Sequence, residues 1–357
     1  IRACTFFRFS WRPWINTIMS QFKINSITDR SGYCGPVIAG VCTNNSTGCM
    51  IIPAGPTEHR GGRGRGLFAG GNPSTNVIQL ITIATTGNST DFGDLSQARS
   101  AAASASSSTR GIRAGGNPNT DVMDYIIISS SGGANDFGNL TVARRQFGGC
   151  SDGTRGVFFG GLVPSPSRSS KTIDFVNIAS TGNATGFGEL IREAQANTAA
   201  SDPTRGIVFG AYSQQNSASY NIIQYVTIAT LGNAQDFGDL SVPRYAVGSL
   251  SSVTRAITAG GYDATTYYNI IEYVTIQTLG DATDFGDLTT LTGHPGAVSN
   301  SIRGVFGGGY ISPADANTNV MEFITIASTG NAADFGDLLS AIRQPTGISD
   351  SHGGLGE

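Results

Sequence analysis

The chain has 357 residues, of which only 13% are charged, and a formal net charge of -3. There is no basic stripe, which argues against nucleic-acid binding. No apolar run approaches the roughly 18 residues of a membrane helix, which argues against membrane insertion. The 49 glycines recur mainly at turn positions, so the composition predicts ordered β-structure and not a disordered tract.

Residues 1–61 are the first predicted element, a short segment of β or irregular structure that lacks the repeat found in the rest of the chain. Five aromatic residues are concentrated near its start: Phe6, Phe7, Phe9, Trp11 and Trp14. Leaving such side chains in water costs about 25 cal/mol per Å² of apolar area. We therefore predict that this segment packs on a partner or on a neighbouring copy, in a possible homo-oligomer, and anchors the protein.

Most of the cysteines lie in the same segment. The five are Cys4, Cys34, Cys42, Cys49 and Cys150. Cys42 and Cys49 bracket a polar, turn-prone stretch, which would allow a local hairpin disulfide. The odd number and the lack of a signal peptide's apolar core favour free, partly buried thiols over that bridge.

Residues 62–357 repeat one frame six times. A leucine recurs at intervals of 45 to 50 residues: Leu95, Leu140, Leu190, Leu240, Leu288 and Leu338. An arginine stands 15 positions after each of the first five leucines, and one more stands near the start of the first copy: Arg65, Arg110, Arg155, Arg205, Arg255 and Arg303. Length varies only in the loop after a pair of small residues such as Gly260-Gly261. A period that tolerates change at one loop is typical of a stacked or circular array.

The fifth copy illustrates the predicted elements in chain order. A short strand runs from Arg255 to Ala259, and a second strand covers Asn269–Ile276, which is rich in β-branched and aromatic residues. The second strand carries apolar groups on both faces, so it should be covered on both sides. The Asp284-Phe285-Gly286 stretch follows and suits a tight turn. No segment shows a helical apolar stripe.

The pattern of each copy therefore predicts three or four short strands in an up-and-down antiparallel sheet. Such a sheet has two apolar faces and cannot bury both alone, whereas six sheets arranged around an axis can. The first copy lacks a strand before Arg65, and a surplus strand follows Leu338. The sequence predicts an all-β, six-bladed β-propeller whose residues 340–352 complete the first blade and close the ring.

The order of Gly-Gly pair, variable loop, strand and aromatic residue resembles the Kelch family. The phrases TIATTGNSTDFGDL, TRGVFFGG and RGVFGGGY resemble the Kelch-like repeat proteins of marine bacteriophages, notably cyanophages, over roughly residues 19–357. The resemblance implies a virion structural protein, tail- or capsid-associated, that recognises the host surface or decorates the particle, with other virion proteins as partners. The alternatives are a non-viral Kelch-like interaction module and, third, a propeller glycan hydrolase or lyase.

No catalytic, cofactor-binding or metal-ligating set is legible, and we do not expect an enzyme. The repeated Asp-Phe-Gly is interpreted as structural and not as a kinase motif. The recurring arginines are interpreted as contacts between blades, the alternative being an anion-binding mouth. Six loop tyrosines are the candidate ligand-binding residues: Tyr212, Tyr220, Tyr262, Tyr267, Tyr268 and Tyr310. They suit recognition of a host glycan or protein, or they merely cover the blade edges.

Overall fold

Antiparallel β-strands make up almost all of the regular structure. The computed structural model describes residues 64–164 and 166–356, all within one unit, Glu58–Glu357. In these residues the regular elements are 28 β-strands and one 3-10 helix, Gly353–Leu355. The all-β class is therefore confirmed. At three residues, that helix is too short to cross a membrane.

Most strands form six sheets, numbered here along the chain. Sheet 1 contains β1 (Arg65–Ala69), β2 (Val77–Thr82), β3 (Thr90–Asp94) and β28 (Thr346–Ser349). Sheet 2 contains β4 (Ala103–Ser106), β5 (Arg110–Ala114), β6 (Thr120–Ile127) and β7 (Asn135–Arg144). Sheet 3 contains β8 (Gly148–Ser151), β9 (Arg155–Phe159), β11 (Ser167–Asn177) and β12 (Thr185–Ala194).

The remaining three sheets follow the same order. Sheet 4 contains β13 (Thr198–Ser201), β14 (Arg205–Ser213), β15 (Ala218–Thr227) and β16 (Gln235–Asp239). Sheet 5 contains β17 (Gly248–Ser251), β18 (Arg255–Ala259), β19 (Ile270–Thr275) and β20 (Thr283–Asp287). Sheet 6 contains β22 (Gly296–Ser299), β23 (Arg303–Gly307), β26 (Val320–Thr325) and β27 (Ala333–Asp337).

Four short strands remain: three lie in the variable loops, and β21 (Leu291–Gly293) lies between an outer strand and the next inner strand. One of the four, β10 (Leu162–Pro164), pairs with β11. The other three form a small sheet of their own: β21, β24 (Tyr310–Ser312) and β25 (Ala316–Asn317). Three of these four strands lie in the loop that varies in length in the sequence, so the copies differ in structure mainly there.

The C-terminal strand belongs to the first sheet. β28 pairs antiparallel with β1, with Leu67 opposite Ile348. In sheets 2 to 6 the corresponding position is filled by a strand that immediately precedes its partner in the chain. The predicted pairing of the C-terminal residues with the first copy is confirmed.

The apolar core lies between neighbouring sheets. One cluster joins Ala103 and Met123 of sheet 2 to Phe158 of sheet 3, and another joins Val305 of sheet 6 to Phe68 of sheet 1. The strands that follow the variable loops, such as β19, contribute to two clusters because both of their faces carry apolar side chains. The prediction that these strands are covered on both sides is confirmed, since Ile271 and Val274 are both buried.

The Asp-Phe-Gly segments are outer strands, so their interpretation as tight turns was wrong. Phe285, for example, lies in β20 and is buried. The register with β19 shifts beside Gly286: Ile271 lies opposite Gly286 and Glu272 lies opposite Asp284, so a β-bulge leaves Phe285 between them. A Cβ on Gly286 would lie 2.5 Å from the carbonyl oxygen of Gly330 in the next sheet. The glycine is therefore required by close backbone packing between sheets, and not by a chain reversal.

Candidate ligand-binding rim

The inner strands β28, β4, β8, β13, β17 and β22 each end in a serine. We call these residues the serine ring: Ser349, Ser106, Ser151, Ser201, Ser251 and Ser299. Each hydroxyl donates to the main-chain carbonyl of the preceding serine at 2.6–2.8 Å, and Ser106 donates to Ser349. The series ends where it starts. All six side chains are at most 3% exposed.

A second cyclic series of hydrogen bonds lies just before the first residues of the inner strands. Its members, the mouth residues, are Ala101, Gln146, Ala196, Ala246, His294 and Gln344. Each main-chain N–H donates to the carbonyl of the preceding member at 2.6–3.3 Å, and Ala101 donates to Gln344. All six have φ between 52° and 59°, a left-handed conformation that is uncommon outside glycine. Since these bonds use only the backbone, the side chains are free to differ.

The two series mark the ends of one cavity. Its volume is about 170 Å³, and the serines and mouth residues line it together. At the serine end, the C-terminal 3-10 helix lies against β8, β13 and β17. His352 Nε2 lies 3.0 Å from the carbonyl oxygen of Ser106, and Leu355 is 4% exposed. The C-terminal residues therefore cover this end of the cavity.

Six residue pairs surround the mouth, and we call them the rim. In each pair, a backbone bridge joins the residue that follows a small pair such as Gly260-Gly261 to the residue that precedes a mouth residue. The rim pairs are Asn72–Arg343, Asn117–Ser100, Leu162–Arg145, Tyr212–Gln195, Tyr262–Tyr245 and Tyr310–Gly293. The backbone bridge is the same in all six, whereas the residue after the small pair changes from Asn, Asn and Leu in the first three copies to Tyr in the last three.

Five tyrosines form a continuous aromatic strip on one side of the rim. In order along the strip they are Tyr212, Tyr245, Tyr262, Tyr267 and Tyr310. Neighbouring ring centroids are 4.5–5.8 Å apart, and the closest pair, Tyr262 and Tyr267, is stacked at 27°. All five are half-buried. Burial, with neighbouring tyrosines next, raises the pKa of Tyr245 to about 12, so this phenol is neutral at ordinary pH.

The strip contains four of the six tyrosines singled out from the sequence. Tyr220 lies outside it, beneath the guanidinium of Arg192 at 5.2 Å. Tyr268 also lies outside it and donates a hydrogen bond to Asp263 Oδ2 at 2.7 Å. Tyr245 was missed because it follows the outer strand and not the variable loop. Its fixed offset of five residues from Leu240 was the available signal.

The other side of the mouth is polar and cationic. Arg145 Nη1 donates to Asn117 Oδ1 at 2.6 Å, and the guanidinium of Arg343 lies over the ring of Tyr310 at 5.1 Å. His294 Nδ1 lies 3.3 Å from Gln344 Nε2. Burial, and next the charge of Arg343, lower the pKa of His294 to about 4. His294 is therefore a neutral ring at ordinary pH, and the positive charge here comes from the arginines.

The recurring arginines do not reach the mouth. Each donates through Nη1 to a carbonyl just after the second strand of the next sheet, at 2.7–3.3 Å: Arg65 to Ile128, Arg110 to Ile178, Arg155 to Ile228, Arg205 to Ile276, Arg255 to Ile326 and Arg303 to Ile83. Five of them also lie over an aromatic ring of their own sheet. The structural interpretation of these arginines is confirmed, and the alternative of an anion-binding mouth built from them is wrong.

Buried polar contacts between sheets were not predicted from the sequence. Arg144 pairs with Asp174 at 2.9 Å, Arg244 pairs with Glu272 at 2.6 Å, and Arg99 pairs with Asp124. The acids occupy the position after the strand centre, which holds Gln, Asp or Glu in every copy: Gln79, Asp124, Asp174, Gln224, Glu272 and Glu322. That regularity was a readable signal. Burial lowers the pKa of Arg144 and Arg244, while the partner acids oppose the shift.

Two further residue sets complete the comparison with the sequence. In the described part of the chain, no three His, Cys, Asp or Glu side chains lie close enough to share a metal ion. Cys150 is a free, buried thiol, as predicted, and burial raises its pKa. The anchor candidates Phe6, Phe7, Phe9, Trp11 and Trp14, together with the other four cysteines, lie outside the described residues.

Comparison with known proteins adds no family assignment. No protein-family model matches the chain, and no curated protein sequence matches it. The case for a function therefore depends on the rim and on the repeat phrases.

Proposed function

We propose that residues 62–357 form a six-bladed Kelch-like β-propeller closed by the C-terminal strand. The observation that carries this proposal is the serine ring, whose hydrogen bonds pass through all six inner strands and return to the first. The contact of Arg303 in sheet 6 with Ile83 in sheet 1 supports the same closure. Ring closure removes the exposed edges that an open array of sheets would have.

We further propose that the protein is a structural component of a phage virion, associated with the tail or the capsid. The support is the resemblance of the repeat phrases to Kelch-like proteins of marine bacteriophages. In this proposal residues 1–61 anchor the chain to other virion proteins, and the rim is presented outward. The rim then recognises a host surface or decorates the particle.

The rim supports recognition because it breaks the repeat. Framework positions such as the serine ring hold the same residue in all six copies, whereas the rim holds Asn, Leu and Tyr at one equivalent position: Asn72, Asn117, Leu162, Tyr212, Tyr262 and Tyr310. Tyrosine supplies rigid contact area and a hydroxyl group at low entropic cost. An asymmetric surface on a symmetric framework is what binding of one defined ligand requires.

Imaging of intact particles tests the virion assignment. Particles from a host that carries the gene are labelled with gold-conjugated antibodies against residues 62–357 and viewed by electron microscopy. We expect gold at one fixed position on the tail or capsid. Particles without label, while the same antibodies detect the protein free in the lysate, would contradict the proposal.

Deleting residues 1–61 tests the anchor. The shortened chain should be soluble, with the melting temperature of the full chain, yet absent from purified particles. A point variant elsewhere that keeps residues 1–61, such as Arg192→Gln, is the control and should be incorporated normally. Normal incorporation of the shortened chain would rule out anchoring by this segment.

A further inference from the structure

The mouth is lined by arginines and, among the described residues, by no acid. Eight residues line a second cavity, of about 290 Å³, at this mouth; they include Arg145 and Arg343, and none of the eight is Asp or Glu. The ion pairs found in the described residues involve three other arginines. Arg145 Nε is buried and has no hydrogen-bond partner in the described part of the chain.

Two guanidinium groups in one cavity whose lining includes no Asp or Glu indicate an anionic ligand. The planar fork of arginine matches a carboxylate in a bidentate arrangement. The neighbouring groups are neutral side chains that both donate and accept, namely Gln146, Gln344 and His294. Such groups suit hydroxyls placed around a single charge better than they suit a second anion.

One end of the tyrosine strip lies at the arginines of the mouth. Tyr310, the last ring of the strip, lies beneath the guanidinium of Arg343. From there the rings continue through Tyr267 and Tyr262. Half-buried aromatic faces in a row present flat apolar surface with hydroxyls at the edges. That surface fits the flat C–H faces of successive sugar rings, whereas peptide side chains need separate pockets.

The size of the cavity agrees with one sugar ring. A volume of about 290 Å³ lies at the lower end of the ~300–1,000 Å³ typical of small-ligand sites. The remaining rings of a longer ligand would lie on the strip, outside the cavity. A ligand with one carboxylated ring in the mouth and further rings on the tyrosines would use both regions together.

We propose that the rim binds an acidic oligosaccharide, with a uronic-acid carboxylate held by Arg145 and Arg343 and the adjoining rings stacked on the tyrosine strip. This assignment rests on the proposed recognition function of the same face and names its ligand class. The ligand is bound without chemical change.

Calorimetric titration of the full-length chain tests the ligand class. The probes are trimers of galacturonate, glucuronate and mannuronate, each compared with its own methyl ester, which keeps the sugar and removes the charge. At least one acid trimer should bind at least about tenfold more tightly than its ester, because the ester loses the charge-assisted bonds. The trimers are tested up to about 10 mM, which covers the millimolar range of weak sites. No binding of any acid trimer, or equal binding of acid and ester, would overturn the proposal.

Hexaglutamate separates a saccharide from an acidic peptide. It carries carboxylates on a flexible chain without sugar rings, so it should bind at least about tenfold more weakly than the best acid trimer. Tighter binding of hexaglutamate than of every trimer would overturn the proposal and assign the mouth to acidic peptides.

Two arginine variants provide a matched pair. Arg343 lies over Tyr310 at 5.1 Å at the mouth, and Arg192 lies over Tyr220 at 5.2 Å outside the strip. Arg343→Gln should weaken binding of the acid trimer at least about tenfold and leave the ester unaffected, whereas Arg192→Gln should leave both unchanged. Unchanged binding by Arg343→Gln, or an equal loss in both variants, would overturn the assignment.

The ligand class and the virion assignment can fail separately. Gold-labelled particles combined with no affinity for acid trimers would remove the saccharide and leave the virion protein. Selective binding of an acid trimer by a protein absent from particles would remove the virion assignment and leave the binding site.

Discussion

The two ends of the inner strands each carry a cyclic series of hydrogen bonds, and the two series differ in chemistry. At one end the serine ring uses side-chain hydroxyls, and at the other the mouth residues use only backbone groups. The residue type is therefore identical six times at the first end and varies among Ala, Gln and His at the second. Where the backbone supplies the structural bond, the side chain is free for recognition.

Removing the C-terminal strand should have the largest effect, because it breaks both cyclic series. Deletion of residues 340–357 removes Gln344 and Ser349 and leaves one edge of β1 unpaired, while β2 still pairs with its other edge. We expect a loss of stability of more than about 5 kcal/mol or a failure to fold, measured by thermal and urea unfolding.

A shorter truncation is the control for that experiment. Deletion of residues 352–357 keeps β28 and removes only the helix that covers the serine end, so it should cost clearly less. Equal melting temperatures for the full chain and the 340–357 deletion would show that closure by β28 is wrong.

Substituting a closely packed glycine of an outer strand should give the next largest loss of stability. A Cβ on Gly188 would lie 2.1 Å from the carbonyl oxygen of Gly232 in the next sheet, whereas a Cβ on Gly186 would meet nothing within 4 Å. Neither glycine has a positive φ, so the comparison isolates the steric term. Gly188→Ala should destabilise by about 2–4 kcal/mol and Gly186→Ala by less than about 0.5 kcal/mol, measured by urea unfolding. Similar losses in both variants would contradict the packing argument.

A matched pair at the two ends tests the central comparison. Ser299→Ala removes a buried hydroxyl that donates to Ser251 at 2.8 Å and should cost about 1–2 kcal/mol. Gln146→Ala keeps the backbone bond, and alanine already occupies three equivalent positions at the same φ, so it should cost less than about 0.5 kcal/mol. Urea unfolding of both variants measures the difference. A larger loss for Gln146→Ala would break the distinction between the two ends.

The smallest expected effect is a loss of stability at low pH, caused by His294 at the mouth. The pKa of His294 is about 4 in the folded chain, against about 6.5 when unfolded. Between these values the unfolded state binds more protons, so stability falls as pH drops from about 6.5 to 4.

Replacing His294 isolates its share of that loss. The wild type should lose about 1 kcal/mol more than His294→Gln over this window, since His294 as a residue is only half-buried and solvent screens its charge. Melting curves at pH 7.5 and 4.5 give the comparison. Parallel losses in the two proteins would mean that His294 takes up its proton equally well in both states.

Prediction from sequence succeeded where each copy repeats the same local signal. The strand Arg255–Ala259, the second strand around Ile271 and the pairing of the C-terminal residues with sheet 1 all follow from the period and from β-propensity. The Asp-Phe-Gly segments were misread because Asp and Gly are also typical of turns. What decided their structure was the backbone of the neighbouring sheet, which a local reading does not include.

The candidate site was only partly predictable for a related reason. The loop tyrosines stood out individually, but Tyr245 and Arg343 follow outer strands and reach the rim through bridges to Tyr262 and Asn72, residues of a different copy. Their proximity depends on how neighbouring sheets are placed side by side. No spacing within one copy encodes that placement.

The sequence by itself determined the all-β class, the repeat length, the place of the variable loops and the strand exchange between the two ends of the repeat array. These depend on hydrophobic alternation, glycine positions and chain intervals, all of which are local. Only the tertiary structure decided which side chains meet: the serine ring, the buried ion pairs and the tyrosine strip beside Arg145 and Arg343. Each of these joins residues from different sheets, so its geometry exists only once the sheets have packed.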